Sequence, residues 1–347
     1  MPASLDPHPS DRASDDADRT LSRDPSRRGT LAALASLLAL PSTATWAQGA
    51  RDYPARPIRL VAPFSAGSAS DTSARFVAEQ LASALGKPVQ VDNQPGADGR
   101  LGMTVAKNQP ADGYTLVMGS WTNLAVNAVL VKNMPYDPLV DFKPIAAVGR
   151  SMLGIAVPGN SPIHSFRELL ATAKKEPKKL NFGNFGTGYR LAAEWISALA
   201  GVQFTHVPYR TTSQMNSDLA GAQIDVGMDG VISIGGLAKA GTVRLLAVTG
   251  DVRHPDFPNV PTVKETLPEF SLYGWSALMV RAETPDDITA RLAETVMKIL
   301  ASPEGKAFEK RVNTELLQRG PAEMRRYQVE QIALLKRVAD AAGMKPE

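Results

Sequence analysis

From residue 52 onward the chain alternates between two textures. Short, nearly continuous apolar runs predict strands at 58–62, 89–92, 115–119, 145–148, 153–157, 180–182, 205–207, 224–228, 245–248 and 277–280. Amphipathic stretches predict helices at 72–85, 101–108, 165–176, 189–200, 214–220, 232–240, 285–301, 303–312 and 321–342. Strand and helix in turn imply an α/β fold with mixed, mostly parallel sheets. The apolar runs are nearly continuous, as strands covered on both faces should be. Thr284-Pro285-Asp286-Asp287 places a hydroxyl, a proline and two acids where a helix start should be.

No linker of low complexity divides this pattern, so domains must be read from its order. The apolar strands near 153 and 277 bracket a central block and read as crossings. Residues 48–151 with 277–347 then form one unit, and 152–276 another. The last seventy residues read as mainly helical.

The first fifty residues are different. A polar lead runs to about residue 25, then Arg27-Arg28 precede an apolar run from Leu31 to Leu40 and a small-residue stretch near Ala47. That order predicts an export signal over 1–47, of Sec or twin-arginine type, and a periplasmic product. The run is too short for a permanent membrane span. Its removal takes five Arg and six Asp and leaves a formal charge of +4.

The whole chain carries +3, with no block of like charges, so neither a nucleic-acid surface nor a polybasic membrane surface is indicated. There is no cysteine, which excludes disulfides and thiolate chemistry.

Four loops rich in small polar residues follow strands: Phe64–Asp71 ("FSAGSASD"), Gly119–Asn127, Gly183–Arg190 and Met228–Ser233. Ligands of open α/β sheets sit at such strand ends. A bare loop before a helix exposes unpaired backbone N–H groups, which suit an anion. The same loop also suits a plain helix cap at Ser68 or Ser70. No phosphate-loop or dinucleotide glycine pattern is present, which leaves a smaller anion such as a carboxylate. His206 suits either a general base or a half-buried structural role. Asp71 and Asp229 suit a catalytic pair; equally, Asp71 suits a cap on a helix starting at Thr72, and Asp229 a turn.

The stretches "YPARPIRLVAPFSAGSASD", "VDNQPGADGRLG", "MPYDPLVDFKPIAAVG", "HVPYR", "LAGAQIDVGMD" and "FPNVPTVKE" together resemble the substrate-binding proteins of tripartite tricarboxylate transporters, the Bug or TctC-like receptors. The resemblance implies a two-lobed, Venus-flytrap binding protein of type II. It implies an amino-acid, tricarboxylic or aromatic acid ligand, membrane transporter subunits or a signalling partner, and a monomer without cofactor, metal or catalysis. Ligand contacts carried over from it are Phe64, Ser65, Ala66, Gly67, Ser68 and Asp71; Thr122 and Asn123; Asn184, Phe185, Gly186, Thr187 and Gly188; and Asp229. The competing expectation is an α/β enzyme acting on a small carboxylate through His206 with Asp71 or Asp229. The chain departs from the family pattern at Ser68, Gln94, Asp98, Phe185 and Arg210.

Overall fold

The computed structural model describes residues 53–347. The expected export signal lies outside the described residues. Among those described, no helix is long and apolar enough to cross a membrane.

The chain first builds β1 (Ile58–Ala62), α1 (Ala69–Leu85), β2 (Val89–Asn93), α2 (Arg100–Lys107), β3 (Thr115–Ser120), a π-helical turn at Thr122–Val126, α3 (Asn127–Leu130) and β4 (Phe142–Ser151). It then builds β5 (Leu153–Pro158), α4 (Phe166–Lys175), β6 (Asn181–Phe185), α5 (Gly186–Ala200), β7 (Thr205–Tyr209), α6 (Thr212–Ala220), β8 (Val226–Gly230), α7 (Val231–Lys239) and β9 (Val243–Val248). Last come β10 (Gly274–Arg281), α8 (Asp286–Ala301), α9 (Pro303–Val312), β11 (Glu315–Arg319) and α10 (Pro321–Ala341).

Two sheets result. One has six strands in the order β11-β4-β10-β3-β1-β2, the other five in the order β7-β6-β8-β5-β9. The fold is therefore α/β and two-lobed, with β10 and β11 returning to the first sheet after the second is complete. Parallel pairs are not the majority expected. Four pairings are parallel and five antiparallel. The cause is the crossing strands: β5 is antiparallel to both its neighbours, and so is β10.

Apolar periodicity explains the packing. Leu60, Leu116, Met118 and Leu278 are buried against Val77 and Leu81 of α1 and Leu292 and Val296 of α8. A second cluster runs without a break from Val61, Val117 and Leu124 of the first lobe to Ile155, Phe182 and Trp195 of the second. A third covers the outer face of the second sheet with Met215, Leu219 and Ile234.

Two expectations are corrected at helix starts. The first helix starts at Ala69 rather than Thr72, so Asp71 sits in its first turn and Ser68 is the cap. Thr284 caps nothing: its hydroxyl is buried without a partner, and α8 starts after Pro285 with the Asp287 carboxylate accepting from the Ile288 N–H at 2.8 Å. The acceptor at this start is therefore a charged group inside the first turn, on a different N–H from those a Thr284 cap would serve. The strand β11 interrupts the ending read as mainly helical, because five edge residues of mixed polarity carry little strand signal.

Candidate functional site

A cavity of about 380 Å³ lies between the lobes. Its first wall is the loop Phe64–Ser68 and the start of α1. Gly67 has φ +80°, a conformation open to glycine and strained for most other residues. The Gly67 N–H donates to Asp71 Oδ2 at 2.9 Å, and the Asp71 N–H donates to Ser68 Oγ at 3.2 Å. Arg75 Nε donates to the same carboxylate at 2.9 Å, and Asn93 Nδ2 donates to Asp71 Oδ1 at 2.8 Å and to the Phe64 carbonyl at 3.0 Å. Burial disfavours the Asp71 charge, but the hydrogen bonds from Arg75, Gly67 and Asn93 outweigh it and hold the carboxyl below its usual range. Asp71 thus ties the loop from behind; it is only 2% exposed and does not line the cavity.

Thr122 and Trp121 line the cavity from the end of β3. Asn123 does not. It is fully buried, with Oδ1 accepting from the Ser120 N–H at 2.9 Å and its carbonyl accepting from the Tyr136 hydroxyl at 2.6 Å.

The loop at the start of α5 also divides. Phe185 lines the cavity; Asn184, Gly186, Thr187 and Gly188 do not. Asn184 Oδ1 lies 3.1 Å from His206 Nδ1. The Thr187 N–H donates to Asp98 Oδ2 at 3.3 Å, and a Cβ on Gly188 would lie 2.9 Å from the Trp121 ring. Gly186, Thr187 and Gly188 thus face the first lobe, and Asn184 a neighbouring strand of its own sheet.

Asp229 lines the cavity and is 1% exposed. Asn216 Nδ2 donates to its Oδ2 at 2.8 Å, and the Gly230 N–H to its Oδ1 at 2.7 Å. Burial pushes its carboxyl up to about 6, against the opposing hydrogen bonds from Asn216, Gly230 and Tyr189. The folded state therefore prefers the protonated acid more than the unfolded chain does. Its contribution to stability is full below the ordinary carboxylate range and is lost as pH rises toward 6. Asp229→Asn should flatten the pH dependence of stability between pH 4 and 7 by about 3 kcal/mol. Melting temperatures of both proteins across that range check this; parallel profiles would contradict it.

The opposite wall joins residues that sequence reasoning did not select as ligand contacts, Arg210–Ser213, to the end of the loop Met228–Ser233 that it did name. Arg210, Thr211, Thr212 and Ser213 line the cavity at the start of α6, and Ile232 and Ser233 at the start of α7. Thr211 caps α6 by accepting from the Gln214 N–H at 3.2 Å. Arg210 is exposed and makes no hydrogen bond or ion pair with any described residue. Arg150, also in the lining, is by contrast paired with Glu315 at 2.7 Å and stacked on Tyr273. The available signal was the hydroxyl pair Thr211-Thr212 immediately before an amphipathic run.

His206 meets neither aspartate. Its ring is held by Asn184 and by Glu194, 3.2 Å from Nε2, and it does not line the cavity. The enzyme expectation named His206 with Asp71 or Asp229, and the structure does not bring those groups together.

The family model described as "Tripartite tricarboxylate transporter family receptor" matches residues 73–344. A protein of Pseudomonas sp. (strain P51), "UPF0065 protein in tcbD-tcbE intergenic region", is 35% identical over 282 residues, covering 80% of this chain and 83% of its own. The structure "R. palustris Rpa4515 with adipate" superposes with a TM-score of 0.81 at 31% identity, over 85% of this chain and 100% of that one. "Structure of periplasmic binding protein BugD" gives a TM-score of 0.79 at 28% identity, over 85% and 100%. With a two-lobed α/β fold, a cavity between the lobes and a match over most of its length, this chain belongs to the tripartite tricarboxylate transporter receptor family.

Proposed function

We propose that the protein is an exported, monomeric receptor that captures a small carboxylate between its lobes and delivers it, chemically unchanged, to transporter subunits in the membrane. One observation carries this reading: three helix starts from both lobes open on one cavity beside an unpaired guanidinium. They are the starts of α1, α6 and α7, with Arg210 next to α6. Each helix start offers unpaired N–H groups and the positive end of a dipole, and a carboxylate satisfies both. The adipate held by a relative 31% identical supports the same class of ligand. Phe64, Ser65, Ala66, Gly67, Ser68, Thr122, Phe185 and Asp229 are the ligand contacts among the residues selected from sequence, with Trp121, Tyr189 and Arg210–Ser213 added. Asp71 acts through the loop that it ties. The hinge lies where the chain passes between the sheets, at Met152 and Tyr273.

Thermal unfolding against amino dicarboxylic, tricarboxylic, aliphatic dicarboxylic and aromatic acids tests the reading. A ligand at a hundred times its dissociation constant adds about 2.7 kcal/mol of stability. The bound acid should be recovered intact; a converted product, or silence after unfolding and refolding to release trapped ligand, would count against it. With the acid that binds, Arg210→Gln should lower affinity about tenfold, or about 1.4 kcal/mol, and weaken its salt dependence. Calorimetric titration at two salt concentrations measures both.

A further inference from the structure

One carboxylate of the chain already sits at a helix start across the cleft. Helix α5 has no side-chain cap of its own, since Phe185 occupies the cap position. The Thr187 N–H instead donates to Asp98 Oδ2 at 3.3 Å, from a loop of the other lobe. The fit is close: a Cβ on Gly186 would lie 2.5 Å from Asp98 Oδ1, so only glycine leaves room for this carboxylate.

The loop that delivers Asp98 is built for the purpose. Gly96, Ala97, Asp98 and Gly99 all have positive φ, at 139°, 48°, 55° and 83°. Such a run is costly for ordinary residues, and Asp tolerates it better than most. It is anchored from behind by Asn127 Nδ2, which donates to the Asp98 carbonyl at 3.0 Å. The Thr187 hydroxyl donates to Asn127 Oδ1 at 3.1 Å, closing the contact between lobes.

We propose that Asp98 is an internal stand-in for a ligand carboxylate: it fills the anion seat at the start of α5 and thereby excludes ligands that would place a carboxylate there. Three observations support it together: the seated carboxylate, the glycine that makes room for it, and the absence of Gly186, Thr187 and Gly188 from the cavity lining. The specificity role rests on the carboxylate-receptor reading above.

Asp98→Gly empties the seat without strain, because glycine adopts φ 55° freely. Formate, the smallest carboxylate, is the probe. Its addition, against chloride at equal ionic strength, should raise the melting temperature of Asp98→Gly in a saturable way and by clearly more than that of the wild type, which offers formate the cavity alone. Asp98→Asn, which keeps an acceptor in the seat, should respond only as the wild type does. Equal responses in wild type and Asp98→Gly, or none in either, would overturn the proposal. This arm needs no known ligand, so its failure is distinct from failure of the receptor reading. In the second arm, the affinity ratio of adipate to hexanoate should rise at least tenfold in Asp98→Gly. Formate stabilisation with an unchanged ratio would reduce Asp98 to a clasp between lobes and overturn its role in specificity.

Discussion

Asp71→Ala is expected to cost about 3 kcal/mol of stability and to remove most ligand affinity, although the side chain never reaches the cavity. The carboxylate is buried and accepts hydrogen bonds from the Gly67 N–H, Arg75 and Asn93. Alanine removes the acceptor shared by the Gly67 N–H, Arg75 and one hydrogen of Asn93 Nδ2, at about 1 kcal/mol for each bond lost. Asn93 also holds the Phe64 carbonyl, so the loop from Phe64 to Ser68 loses its support at both ends. Because its carboxyl is held below the usual range, the stability due to Asp71 is present above the ordinary carboxylate value and lost as pH falls through the depressed one. Asp71→Asn keeps an acceptor and should fall between alanine and wild type. Equal melting temperatures and affinities for alanine variant and wild type would remove Asp71 from this role.

Gly102→Ala should have an effect of similar size from a single methyl group. Gly102 lies in α2, where a Cβ would sit 2.8 Å from the Pro63 Cα and 2.9 Å from the Gln94 carbonyl oxygen. Both are backbone atoms, so no flexible side chain can yield. Overpacking of this kind costs about 3 kcal/mol, and the displaced residue, Pro63, opens the first wall of the cavity. Denaturant unfolding and ligand titration of the variant should therefore worsen together. A variant that loses stability but binds normally would show that the loop absorbs the shift before Phe64.

Much of this molecule was legible because local signals and tertiary packing agree. The ten predicted strands and nine predicted helices all correspond to observed elements, with ends moved by a few residues. Hydrophobic period decides existence; caps decide ends. Ser68 rather than Asp71 caps α1, and the Asp287 carboxylate rather than Thr284 serves α8. The site was legible where it depends on backbone, as at Phe64–Ser68. It was not legible where it depends on which loop faces which. Thr187 and Gly188 carry the composition of a ligand loop, yet they face Asp98 and Trp121. Arg210 was visible as a departure from a family pattern, but nothing local shows that it stands unpaired on a cavity wall.

The crossing strands carry a mechanical consequence. Met152 alone separates β4 from β5, and Ser151 pairs in register with Gly274, the first residue of β10. Leu272 still bonds to Thr249 beside the second sheet, so the return passage is Tyr273. Two connections lying side by side act as two pins on one axle. They leave rotation about a single line and resist sliding or twisting of one sheet past the other. For lobes moving as rigid bodies, opening would be a rotation about that line, and a single distance across the cleft would follow it.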